Sequence, residues 1–278
     1  NIMNSRSGNQ VPFSSINFGT DISPEGRCVI KAFLEAVDNG VGNDNKTAIF
    51  PISIFKVKAG INRNSEDKNY DLFKFAQKVT SKRFFPNFIN LDTAFNYNEK
   101  WDINDPNRWY YEPSTMGCRT RVYENRHGEK SSVGRGNASF TSINIVRLAL
   151  KAMKSKKTIE ERKEVFFAEM DKIMSLTANQ LVERWEWQKT ALAKQFPYVM
   201  KYLAEYNEGI KSSDKVENII KHFTLSIGFI GLAEALVALT STIDSEGNYV
   251  KGVHHGESDE AHALGIELVR HMHLKCKE

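Results

Sequence analysis

Ala48–Val57 reads AIFPISIFKV, a β-branched and aromatic run that predicts a strand, with Pro51 pointing to a sheet edge or a bulge because it lacks a backbone donor. A loop at Ala59–Asn69 leads from it into a helical pattern over Tyr70–Ser81. The same step stands upstream. Val11–Phe18 is extended, Asp21–Pro24 turns, and Val29, Ile30, Phe33, Leu34 and Val37 line one helix face that Asn39-Gly40 closes. Downstream, Phe88–Leu91 is a short strand, while Asp92–Pro113, rich in Asn, Asp, Trp and Tyr, has no period and is read as a long ordered loop. Ala138–Ile145 is extended and passes into a helix ending at Lys154–Lys157. Thr158–Trp187 then carries Phe166, Met170, Ile173 and Met174 at helical spacing. Phe223–Ile230 is a last strand before a Gly231–Thr240 helix, and Ser258–Leu274 is a further helix. Such β-then-α alternation predicts an α/β body with largely parallel strands, open or closed into a barrel.

The chain has 278 residues and 31.7 kDa, enough to bury about three quarters of its unfolded surface. Its 38 basic and 34 acidic residues, with 26% charged and 41% apolar, exclude a disordered chain and a polybasic nucleic-acid arm. The most apolar stretch, Phe223–Leu239, is interrupted by Ser, Gly and Glu, so no membrane span is expected. Cys28, Cys118 and Cys276 form neither a CxxC pair nor an even set, which argues against a disulfide framework or a cysteine zinc site and fits a reducing cytosol. The opening Asn1-Ile2-Met3-Asn4 and the unpunctuated helical ending His271–Glu278 read as a piece of a longer chain. No internal repeat divides residues 1–278, which are expected to form one domain or part of one.

Thr115–Val122 (TMGCRTRV) is the most informative segment for chemistry. In an extended backbone Arg119 and Arg121 share a face with Cys118 opposite. Two nearby cations could favour a thiolate, giving a nucleophile or a redox thiol, yet a free cysteine also serves as a small buried hydrophobe. His127, followed by Gly128 in a solvated turn, completes no dyad with it. Gly134-Arg135-Gly136-Asn137 allows close backbone approach to a ligand, with Asn137 offering both donor and acceptor to a hydroxyl; a tight turn explains the same glycines. His254-His255 lacks the HExxH spacing and is not assigned a metal, and Glu257-Ser258-Asp259-Glu260 is an acidic helix start. His271 and His273, two apart, do not share a helix face. Gly228 and Gly231 admit either a phosphate at a helix start or close helix packing.

Six segments in order resemble the anaerobic, class III ribonucleoside-triphosphate reductases: SRSGNQVPFSSINFGTD (Ser5–Asp21), PNFINLD (Pro86–Asp92), MGCRTRV (Met116–Val122), RGNASFTSIN (Arg135–Asn144), TLSIGFIGLAEAL (Thr224–Leu236) and HHGES (His254–Ser258). Ala138 and Ile145-Val146 depart from the family pattern in packing rather than in reactive groups.

The resemblance implies a glycyl-radical enzyme built on a ten-stranded α/β barrel, threaded by a finger loop with a cysteine at its tip. Cys118 matches that cysteine, and Asn137 matches an asparagine near the ribose hydroxyls. In the family, a stored glycyl radical converts the cysteine to a thiyl that takes the ribose 3′ hydrogen; the 2′ hydroxyl then leaves as water, typically with formate as reductant. It further implies a radical-SAM activating enzyme, ATP and dNTP effectors, a homodimer and a cytoplasmic location, with no nucleic-acid or membrane partner. Residues 1–278 would be a partial catalytic barrel domain. The ATP cone, the second active-site cysteine, the structural zinc site and the glycyl loop would lie outside it, leaving the piece alone inactive. The rival readings are a non-catalytic nucleotide-binding α/β scaffold and a cysteine-nucleophile hydrolase or transferase, which would need a base beside Cys118.

Overall fold

The computed structural model describes residues 14–117, 120–197, 200 and 209–278. They form two compact units, one ending at Gly136 and the other starting at Asn137.

In the first unit β1 (Ser15–Phe18), β2 (Ile52–Val57) and β3 (Asn87–Asn90) make a parallel sheet in that order. The crossovers carry α1 (Pro24–Asn39) and α2 (Tyr70–Arg83), so the expected α/β alternation is present. Alternate side chains of the strands, Phe18, Phe55 and Val57, meet Ile30 and Leu34 of α1 and Leu72 and Ala76 of α2 in one apolar cluster. Ser23 caps α1 by accepting from the Gly26 amide, and Gly40 (φ +78°) closes it where a Cβ would stand 2.5 Å from the Asn45 carbonyl. The buried stripe of α1 is Ile30, Leu34 and Val37. Val29, expected on that face, is 68% exposed, one 100° step off the stripe.

Pro51 does not mark an edge. β2 is the central strand and all six of its residues are buried. The ladder begins one residue after the proline, with the Ile52 amide donating to the Ser14 carbonyl at 2.9 Å, so the missing donor falls outside it. After β3 the chain is irregular apart from a 3₁₀ turn at Arg108–Tyr111. It then makes an antiparallel hairpin of β4 (Ser114–Met116) and β5 (Thr120–Val122), with Met116 opposite Thr120. Over the described residues the extended backbone considered for Thr115–Val122 is met in two separate strands, and Cys118 and Arg119 lie outside the described residues.

In the second unit β6 (Gly136–Asn144) pairs with β7 (Phe223–Ile230). Asn137 reaches Thr224 and Ser142 lies against Gly228, so the two strands advance in the same sense. Between them run α3 (Ile145–Ser155) and α4 (Ile159–Gln188), the latter opened by a Thr158/Glu161 capping box. α5 (Leu232–Thr240), the small hairpin β8 (Thr242–Ile243) and β9 (Tyr249–Val250), and α6 (Asp259–Lys275) follow. Leu148 and Ala152 of α3, Phe166 and Met170 of α4, Leu236 of α5 and Leu268 of α6 share a core. The fully buried Arg162 is satisfied by the carbonyls of Lys156 and Ser241 and by the Ser241 hydroxyl. Gly231 (φ +83°) is explained by packing, because a Cβ there would come within 2.1 Å of Val146 Cγ2. Ser258 caps α6, with Asp259 and Glu260 in its first turn as the acidic run implied. Among the described residues no helix is long and apolar enough to cross a membrane.

Candidate active site

Ser15 and Asn17 of β1 and Ile52, Ile54 and Lys56 of β2 alternate with the helix-facing residues and so point to the face that α1 and α2 leave uncovered. The β4–β5 hairpin lies on that face. Asn17 engages both backbone groups of one hairpin residue: its Nδ2 donates to the Thr115 carbonyl (3.2 Å) and its Oδ1 accepts from the Thr115 amide (3.1 Å). The Ser15 hydroxyl donates to the same carbonyl at 3.4 Å. A carboxamide carries the same donor and acceptor as a peptide group, so Asn17 acts as one rung of a ladder between β1 and β4.

The root of the hairpin is pinned by Glu112, which is 1% exposed. Its carboxylate accepts from Lys56 Nζ (2.9 Å), the Thr20 hydroxyl (3.1 Å) and the Trp101 indole (3.1 Å). Lys56 is itself buried, which makes this an internal, multiply bonded ion pair. On the returning strand Arg121 forks onto Glu124 through two 2.7 Å bonds and donates from Nε to Asn96 (2.6 Å). Burial pushes Glu124 up, but the Arg121 bonds outweigh it and hold the carboxyl below the ordinary range. Arg121 thus spends its charge on Glu124. Cys118 and Arg119, on which the thiol reading falls, lie outside the described residues; the pairing of Met116 with Thr120 leaves them, with Gly117, as the connection between β4 and β5.

At the carboxyl ends of β2 and β3, Asp92 accepts from the Ala59 amide (2.9 Å), Lys58 Nζ (3.2 Å) and Arg63 (3.1 Å). Burial acts to raise its pKa, yet these bonds prevail and lower it. A depressed folded-state value contributes stability that is present above the unfolded carboxylate pKa and lost as pH falls through the folded one. Asp92→Asn is therefore expected to flatten the acid limb of melting temperature against pH, and an unchanged limb would assign that limb to other carboxylates.

In the second unit, Asn137 follows a turn at Gly134 (φ +66°). With its amide oriented to suit its neighbours, Nδ2 donates to the carbonyls of Ser139 (2.9 Å) and Thr224 (3.0 Å), bridging β6 and β7. Both amide hydrogens are committed, so a ligand hydroxyl would meet Asn137 only at Oδ1, donating to it. The sequence alone offered both halves of the amide.

The remaining candidates fall elsewhere. His127 sits in an exposed turn, and the His254 backbone amide donates to Glu257 (2.9 Å) just before the α6 cap. Among the described residues no group of three or more His, Cys, Asp or Glu is placed to hold a metal. His271, on the same helix as His273, meets Asp171 of α4 at 2.7 Å, and sequence spacing gave no hint of it. Cys28 is exposed on α1, and Cys276 is exposed at the end of α6 with its thiol pushed up by partial burial. Sequence reading also missed Asn17, Lys56 and Glu112. Lys56 and Glu112 were signalled only as the one lysine within IFPISIFKV and the one glutamate within RWYYEP, and Asn17 carried no signal of its own.

A family model described as anaerobic ribonucleoside-triphosphate reductase matches residues 1–278, the whole chain. Among curated relatives, the Haemophilus influenzae anaerobic ribonucleoside-triphosphate reductase is 28% identical over 275 residues, 96% of this chain and 34% of that protein. The Salmonella typhimurium protein of the same name is 29% identical over 272 residues, covering 95% of this chain and 33% of the relative. That of Enterobacteria phage T4 is 29% identical over 249 residues, 86% of this chain and 38% of the relative. The chain thus spans about a third of the length of these curated relatives. With agreement running from its first residue to its last, the chain belongs to the anaerobic ribonucleoside-triphosphate reductase family.

Proposed function

We propose that the protein containing this chain reduces ribonucleoside triphosphates to deoxyribonucleoside triphosphates for DNA synthesis, with Cys118 as the hydrogen-abstracting thiol. The observation that carries this reading is a hairpin, β4–β5, bound to the helix-free face of a parallel sheet and connected through the segment that holds Cys118. In an α/β barrel of ten strands that face is the interior, so a hairpin rooted there is suited to be the finger loop. The family's glycyl radical supplies the unpaired electron. Cys118, once its own thiol hydrogen had passed to that radical, would take the 3′ hydrogen of the ribose, forming S–H as C3′–H breaks, and would return it after the 2′ hydroxyl has left as water. Formate, oxidised to carbon dioxide, supplies the two electrons. Asn137 Oδ1 accepts a hydrogen bond from a ribose hydroxyl. Neither role needs a shifted pKa; both need exclusion of water and positioning.

On this reading the ATP cone, the second active-site cysteine, the zinc site and the glycyl loop belong to segments outside residues 1–278, which form part of the catalytic barrel, and ATP and dNTPs act as effectors of the whole protein. The whole protein is a cytoplasmic homodimer activated by a radical-SAM enzyme. Its test is anaerobic incubation of the full-length protein, after activation, with labelled CTP and formate. The expected product is dCTP, with Asn137→Ala reducing turnover far more than stability, which should fall by about 1 kcal/mol per lost hydrogen bond. Nucleotide binding without any deoxynucleotide would favour the scaffold reading instead. Normal activity per folded molecule in Asn137→Ala would make that residue structural.

A further inference from the structure

We infer that Asn17 is a positioning residue for the radical thiol, an inference that rests on the proposed role of Cys118. Three observations carry it. First, Asn17 satisfies both backbone groups of Thr115, at 3.2 and 3.1 Å, so it fixes the translation of β4 along β1 as well as its distance. Second, Thr115 lies one residue before Met116, the last paired position ahead of the connection that contains Cys118, so any slip at Thr115 passes directly to that connection. Third, the other holdfasts act elsewhere: Glu112 pins the chain before β4 begins, and Arg121 and Tyr123 tie the returning strand to Asn96 and to the Tyr111 carbonyl. Asn17 and Ser15 are the β1 side chains bonded to β4, and Ser15 adds only a single 3.4 Å bond to a carbonyl that Asn17 already holds. An apolar side chain at this position would leave Thr115 free to shift in register while the apolar cluster on the opposite face, built on Phe18 and Phe55, stayed intact.

A misplacement of about 1 Å in a reacting group can cost on the order of a hundredfold in rate. The test uses activated full-length protein carrying Asn17→Leu, with Asn17→Ala as a second variant if the leucine does not fold. The expected result is unchanged glycyl-radical content by electron paramagnetic resonance, KM within about twofold and kcat lowered by about a hundredfold. The kinetic isotope effect on kcat with 3′-deuterated substrate should also rise, because hydrogen abstraction becomes limiting. A residue that only supports the fold would lower the active fraction and leave the isotope effect as in wild type. That outcome, or unaltered kcat, would overturn the inference. Cys118→Ser in parallel separates the two levels. Turnover by that variant removes the thiol assignment itself, whereas a dead Cys118→Ser beside an indifferent Asn17→Leu removes only the clamp.

Discussion

Full-length protein carrying Cys118→Ser is expected to accept its glycyl radical from the activating enzyme and to make no deoxynucleotide. The substitution changes one atom. Sulfur suits reversible hydrogen transfer because its S–H bond is close in strength to an activated ribose C–H, so hydrogen can be taken and later returned. A hydroxyl O–H is far stronger, and each additional 1.4 kcal/mol or so on the barrier costs about a factor of ten, which takes turnover below detection. The backbone of the hairpin gives no reason for the fold to change, since the bonds that hold it run through Thr115, Glu112 and Arg121. The measurement is paired: radical content by electron paramagnetic resonance and product by chromatography on the same sample. Radical present with product absent is the predicted pattern. Product formed at the wild-type rate would remove Cys118 from the chemistry, and radical lost along with product would mean that the variant fails before the step in question.

The second large effect is on stability. Glu112→Ala is expected to cost about 3–5 kcal/mol, because it strands the Lys56 ammonium inside the sheet face without its counter-charge. It also orphans the Trp101 indole and the Thr20 hydroxyl, both of which donate to the same carboxylate. Lys56→Met combined with Glu112→Leu should lose much less than the single change, since two buried charges disappear together and the apolar stems remain to pack. Denaturant unfolding of the wild type, the single variant and the double variant checks this. A single variant within about 1 kcal/mol of wild type would show that water reaches Lys56 and that the pair is not internal.

The reductase family resemblance was legible from short segments in order, and the whole-chain family match agrees with it. The alternation of strand and helix was also legible, because burial imposes a period of two on a strand and of 3.6 on a helix, and both periods are local properties of the chain. α1, α2 and α4 follow that pattern to within a few residues, as does β1 over Ser15–Phe18, while residues 11–13 of the expected strand lie outside the described residues. Where the reading failed, the deciding quantity was not local. Pro51 suggested an edge, but the position of a strand in its sheet depends on partners far along the chain, and β2 has one on each side. Val29 counted as apolar and fell off the stripe, since apolar character does not say which residue at the edge of a helix's apolar face turns to the sheet.

The site divides along the same line. Cys118 and Asn137 were singled out from sequence because their chemistry is carried by residue type and motif. Asn17, Lys56 and Glu112 were not, because an asparagine in a strand, a lysine in an apolar run and a glutamate among tyrosines take on meaning only from what they touch. Sequence determined the main strand-to-helix steps and which family they serve, as those depend on patterns within a few turns of chain. The tertiary structure alone decided that a carboxamide on β1 binds the backbone of β4, that a carboxylate is buried against Lys56, and that both amide hydrogens of Asn137 are already taken. Apart from the Asn137–Ser139 bond, each joins residues far apart in sequence, where only packing fixes the distances on which a hydrogen bond depends.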